Sequence, residues 1–173
     1  MANTDNPHGF MFVGMDGPGF PWQQKLTKVV GYGTALYPGD VVSRVADGSI
    51  EVITTPGTTL ISGINSRWGA ASTATNHEVL VSSNALFEGQ DNNATDGIAA
   101  ADLGANANCE ANAGSATKLT SGHEINETGI TTTATLDFHL IELLDTPNNA
   151  HGAWARIVVK INAHRYGFAT AGV

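Results

Sequence analysis

Cysteine is nearly absent: Cys109 is the only one in 173 residues. An intrachain disulfide is therefore impossible, and a zinc site built from several thiolates is excluded. The plain reading of Cys109 is a small semi-buried residue. A reactive thiol needs a His or Lys close in space, which sequence does not reveal. Charge is also scarce. Asp, Glu, Lys and Arg make up 14% of the chain, against about a quarter in ordinary globular domains. Basic residues are the scarcest, with 8 Lys plus Arg against 16 Asp plus Glu, for a formal net charge of −8. Nucleic-acid affinity comes mostly from phosphate neutralisation by Lys and Arg, and no basic run exists here. Neither nucleic acid nor an anionic membrane is expected as a partner. No apolar run approaches the ~20 residues of a membrane helix. Residues 1–8 lack the basic region and apolar core of a signal peptide, so the protein is expected to be made and used without secretion.

What is present suits one β-rich domain. Apolar residues are 42% of the chain, too many for a disordered segment. A domain of this length buries about 70% of the surface its unfolded chain exposes, so it needs no metal or disulfide to fold. Ala, Gly, Thr and Asn dominate, and Thr-rich stretches favour strand over helix.

Residues 1–25 hold Pro7, Gly9, Gly14, Gly17, Pro18, Gly19 and Pro21, with Phe10, Met11, Phe12, Phe20 and Trp22 scattered between. Gly and Pro at that density oppose a helix or central strand. The segment reads as an extended arm whose apolar side chains lie on its own body or on a neighbouring subunit. Residues 26–173 read as the domain proper. Asp47-Gly48 between the β-branched runs 41–45 and 50–54 signals a hairpin, and a type I′ turn there would pair Val45 with Ile50, Arg44 with Glu51 and Val42 with Ile53. Strands are also expected at 59–65, 78–82 and 85–88. A polar loop follows at 89–97, then a helical turn near 98–103. The rest of 99–117, rich in Ala, Asn and Gly, reads as extended or irregular chain suited to close subunit approach. Two strong strands close the chain. In 131–144, Leu136, Phe138 and Leu140 share a face opposite Asp137 and His139. In 155–162, Ala155, Ile157, Val159 and Ile161 share a face opposite Arg156 and Lys160. Turn-rich residues 145–152 join them.

Familiar catalytic motifs are missing. There is no G-x-S-x-G elbow and no phosphate-loop or dinucleotide fingerprint. His123-Glu124-Ile125-Asn126-Glu127 starts like a zinc-peptidase helix, but Glu127 replaces the second histidine and the flanking Thr120, Ser121, Gly122 and Gly129 favour a loop. Residues 91–97 have calcium-loop spacing with the glycine one place late and Asp102 where a bidentate glutamate belongs, so a solvated turn is the default. No cofactor, metal site or catalytic residue is assigned. Trp22, Trp68 and Trp154 read as core or interface packing rather than sugar platforms.

Several stretches carry a likeness spread along the whole chain. They are Met1-Ala2-Asn3 with Pro7-His8-Gly9-Phe10; Thr34-Ala35-Leu36-Tyr37-Pro38-Gly39-Asp40-Val41-Val42; Leu60-Ile61-Ser62-Gly63-Ile64; and Leu143, Asp145 and Pro147-Asn148-Asn149-Ala150-His151-Gly152 ahead of Ile157-Val158-Val159-Lys160-Ile161-Asn162-Ala163-His164-Arg165-Tyr166. In these the chain resembles the decoration, or cement, proteins of tailed-bacteriophage heads. The resemblance implies an all-β, barrel or jelly-roll-like body with an arm and long polar loops. It implies no enzyme activity, a homo-oligomer (a trimer before a dimer), and attachment to the major capsid protein on the outer virion surface. Phe10, Met11, Phe12, Phe20, Trp22 and Lys160 are the expected capsid or subunit contacts. A tail-tube or head–tail joining subunit is the alternative in the same class, and a carbohydrate-binding β-module the alternative outside it.

Overall fold

The computed structural model describes residues 3–167. Two antiparallel sheets make the body. The first has strands β1 (Met11–Met15), β7 (Ala85–Gln90), β11 (Arg156–Ile161), β10 (Phe138–Leu143), β8 (Asn106–Ser115) and β9 (Thr120–Thr131), in that spatial order. The second has β2 (Gln23–Lys28), β6 (Thr75–Leu80), β5 (Gly63–Asn65), β3 (Val41–Arg44) and β4 (Ile50–Val52). The one helical element among the described residues is a 3-10 turn at Ala100–Asp102, inside the expected 98–103. The all-β expectation holds, in its two-sheet form.

Period-two alternation explains how the sheets pack. Val41, Ile64, Leu80, Phe87, Phe138, Leu140, Ile157 and Val159 come from both sheets and form one core between them. The next residues along two of these strands, Val42 and Val79, point the other way. They join Leu26, Leu36, Ile50 and Val81 in a second core on the far face of the smaller sheet. The register expected for the last strand is observed. Ala155, Ile157, Val159 and Ile161 are all buried, and Val159 sits between Leu140 and Phe87.

Four expectations need correction. First, the hairpin is shifted by one residue: Val42 pairs Val52, Ser43 pairs Glu51 and Arg44 pairs Ile50. Val45 N–H donates to the Ser49 carbonyl at 2.9 Å, and Gly48 N–H to Val45 at 3.0 Å. Of the two turn residues only Gly48 has positive φ, at 85°, which describes a type I turn closed by a glycine bulge instead of a type I′ turn. Arg44 therefore does not face Glu51.

Second, residues 3–25 take one of the two expected alternatives, packing on their own body, but as strands of the sheets rather than as an arm apart from the domain. Phe10 is buried and stacks on Phe138 with ring centroids 4.3 Å apart. β1 pairs with β7, and β2 begins at Gln23. The Gly and Pro residues fall before, between and inside short edge strands, where breaks in the ladder are tolerated. Third, 106–115 and 120–131 form the longest hairpin, although neither has a strong apolar stripe. Ala107, Cys109 and Ile125 are buried in the core with Ala111 and Ile130 packed against it, while cross-strand bonds from Asn126 to Glu110 (2.7 Å) and from Asn112 to Glu124 (3.0 Å) tie the polar side. His123 thus lies in a strand, not a loop. Fourth, the strand expected at 131–144 starts only at Phe138, and the one at 59–65 only at Gly63. Asp137, assigned to a polar face, is fully buried and accepts hydrogen bonds from Gly57 N–H (3.0 Å) and Cys109 N–H (2.9 Å).

Candidate functional site

β1 is an edge strand of one sheet and β2 of the other, and residues 16–22 link them. An edge strand offers unpaired backbone groups to another chain. Here the edge is also apolar. Met11, Phe12 and Val13 are each between 42% and 45% exposed, Trp22 is 61% exposed and Phe20 is 92% exposed. The link is tied at both ends: Asp16 N–H bonds the Asn84 carbonyl at 2.8 Å, Val81 N–H the Trp22 carbonyl at 2.9 Å, and Trp22 N–H the Ser82 hydroxyl at 2.6 Å. A cleft of about 270 Å³ runs between the two edges, lined by Met11, Phe12, Pro21, Gln23, Pro38 and Leu80. Contiguous exposed apolar side chains of this kind are a common mark of interaction surfaces in soluble proteins.

Four expected contact residues, Met11, Phe12, Phe20 and Trp22, belong to this surface. Phe10 lines the same cleft from its floor, but at 1% exposure its ring is core and is not presented to a partner. Lys160 lies elsewhere on β11. It pairs with Asp16 at 2.8 Å and lines a separate cleft of about 520 Å³ with His139, His164 and Tyr166. Val13 was missed. It is the extra residue of a β-bulge, where the register slips between Phe12 and Gly14, and a bulge leaves no periodic mark in sequence. Trp68, assigned to packing, is 44% exposed, like Trp22 a poor match to a core role.

The core does bring a histidine to the lone cysteine. Cys109 Sγ is 3.6 Å from His123 Nδ1, and His123 Nε2 is 3.7 Å from an Asp40 carboxylate oxygen. The trio has the composition of a cysteine-nucleophile site without its physical requirements. All three side chains are buried, and burial pushes the Cys109 thiol up, away from thiolate,. His123 Nδ1 accepts the Val41 N–H at 3.1 Å, and burial lowers its pKa to about 4, so it is neutral. Asp40, which accepts the Tyr37 N–H at 2.7 Å, is raised to about 6 by burial. This is a hydrogen-bonded core knot.

The loop with calcium-like spacing is a set of turns. Asn93 Oδ1 accepts Thr95 N–H at 2.7 Å, and its amide donates to Glu127 at 2.8 Å. Asp91 is buried beneath it and raised to about 7, first by burial and then by the nearby charges of Glu127 and Glu124. The backbone amides of Asn93 and Trp154 offset part of that rise. Among the described residues no group of three or more His, Cys, Asp or Glu is arranged to hold a metal ion.

Comparison with models of known families, with curated proteins and with solved structures returned no match.

Proposed function

We propose that this chain is a non-enzymatic virion protein that decorates and cements the outer capsid surface of a tailed phage by bridging capsomers. The observation that carries the reading is the exposed apolar surface on the edge strands β1 and β2 and the link between them, centred on Phe12, Phe20 and Trp22. A monomer gains nothing from holding these side chains in water. Contact with the major capsid protein or a second copy of this chain would bury them. The ordered likeness to decoration proteins along the chain supports the same reading, as does the acidic, weakly charged composition, which suits a position away from the genome.

The physics of the role is multivalency. A pressurised head puts tension on capsomer junctions, and a protein that grips several capsomers favours the closed lattice. Each further contact is intramolecular, so weak contacts sum to high avidity. A homotrimer on a local symmetry axis does this with one repeated interface. Binding to undecorated capsids tests the proposal. Wild-type protein should saturate a fixed number of sites, and Phe12→Ser with Trp22→Ser should release it while the fold survives. Saturable capsid binding by the double variant at wild-type strength overturns the assignment of the surface. A six-fold or higher ring of the chain at a head–tail junction in electron micrographs overturns the decoration role.

A further inference from the structure

A third cleft, of about 420 Å³, lies between residues 3–8, β7 and the loop 144–155. Its walls are held by amides spent on backbone. Gln90 accepts Asn6 N–H at 2.8 Å and donates to the Thr4 (2.8 Å) and Trp154 (3.2 Å) carbonyls. Asn149 donates to the Leu144 and Arg156 carbonyls, both at 2.8 Å, and accepts Arg156 N–H at 2.9 Å. Asn3 ties the N-terminal segment to Ala150 and Ala153 at 2.8 Å each. A cleft fixed in this way loses little entropy when a ligand enters.

The same cleft holds backbone strain. Asn148 (φ 65°) and Trp154 (φ 60°) are two of four non-glycine residues with positive φ among those described, and both line it. For a tryptophan this backbone is costly, and such strain collects at ligand sites. Its charge is internally balanced. Glu88 lies between Arg156, at 2.6 and 2.7 Å, and His8, at 3.0 Å, so the floor is polar without favouring an ion. Hydrogen-bonding capacity remains at the rim, because the side chains of Thr4, Thr146 and Asn148 make no hydrogen bond among the described residues.

An indole beside hydroxyls, amides and a neutralised carboxylate matches one ligand chemistry. A pyranose has an apolar C–H face for the ring and hydroxyls for the polar groups. We propose that this cleft binds a neutral saccharide of one or two rings, with Trp154 as the stacking platform and Thr146, Asn148 and Glu88 as hydroxyl partners. The proposal does not rest on capsid attachment, although Met11 lines both this cleft and the one beside the β1–β2 surface.

The full chain, labelled for amide NMR, is titrated with glucose, galactose, N-acetylglucosamine and maltose into the millimolar range. The expected result is saturable shifts at His8, Gln90 and the Trp154 indole N–H with at least one sugar. Trp154→Gly, whose backbone accepts positive φ, should weaken binding roughly tenfold or more. Thr146→Val should weaken it severalfold with an unchanged melting temperature, so loss of folding in the first variant would not hide the effect. No saturable shift with any of the four sugars overturns the proposal. So do shifts centred on Trp22 or Trp68, or tighter binding of glucuronate than of glucose.

Discussion

Replacing Phe10 with Ala separates a core role for the N-terminal segment from a docking role. The ring is 1% exposed, stacked on Phe138 at 25° between planes, and inserted against Gly89. A Cβ at position 89 would stand 2.5 Å from the Phe10 ring and 3.2 Å from Ile125, so position 89 must be small for Phe10 to seat. Removing a buried phenylalanine costs about 3–5 kcal/mol through lost transfer energy and the cavity left behind. For a domain of this size each kcal/mol lowers the melting temperature by about 2–4 °C, so Phe10→Ala should melt roughly 6–20 °C below wild type. Phe12 provides the control two residues along. Its ring is 44% exposed and meets Phe87 only edge-on at 6.3 Å, so Phe12→Ala should cost about 1 kcal/mol. Gly89→Ala should destabilise by itself, and adding Phe10→Leu should recover part of the loss, a coupling expected of residues in contact. Thermal and denaturant unfolding of the four proteins decide the matter. If Phe10→Ala melts within about 2 °C of wild type, or if Phe12→Ala is the less stable of the two, the segment is an arm and the core assignment fails. By the same reasoning, deletion of residues 1–21 should prevent folding rather than merely weaken binding.

Three further outcomes are expected. Val159→Asp places a carboxylate at a position with no exposure and should cost several kcal/mol, whereas Lys160→Asp loses only a half-exposed pair with Asp16 and should cost under about 1 kcal/mol; equal melting temperatures would contradict the strand register. Gly48→Ala should cost about 1–2 kcal/mol, because the position has positive φ but open space around it, so the penalty is backbone alone; a neutral result in urea unfolding would contradict the bulged turn. Asp91, raised to about 7 in the fold, binds its proton more tightly folded than unfolded, so its contribution to stability falls as pH rises from about 4 through about 7. Asp40, raised to about 6, acts in the same direction, while His123 and His164, each lowered to about 4, act oppositely up to about pH 6.5,. Asp91→Asn isolates its own share: the variant should be more stable than wild type near pH 8 and indistinguishable near about pH 4 in melts, and a variant less stable at pH 8 would refute the burial argument.

Much of the fold is legible along the chain because alternation is a local property. Val41 and Ile50 in the hairpin, Ala85 to Glu88, and Ile157 to Ile161 are β-branched or apolar at period two, and one buried face is enough to fix such strands. The scarcity of charge, the single cysteine and the lack of a basic run are likewise settled by composition alone. Other features depend on partners far away in sequence. Asn108 reads as extended or irregular chain and Asn126 as loop, yet they pair across β8 and β9 because polar side chains bond across the hairpin and the neighbouring Cys109 and Ile125 find the core. Phe10 looks like its exposed neighbour Phe12; Phe138, 128 residues away in numbering, and the small Gly89 make it core. Arg44 misses Glu51 because a single bulge at Gly48 moves every pair by one. The same holds for sites. The sequence supplies the apolar residues of β1 and β2, but only packing decides that two edges from different sheets share a cleft. It also supplies Trp154, Asn148 and Glu88 without the contact that joins them: long-range hydrogen bonds from Asn3 and Gln90 place them around one cavity, and no local spacing encodes a contact whose partners lie on opposite ends of the chain.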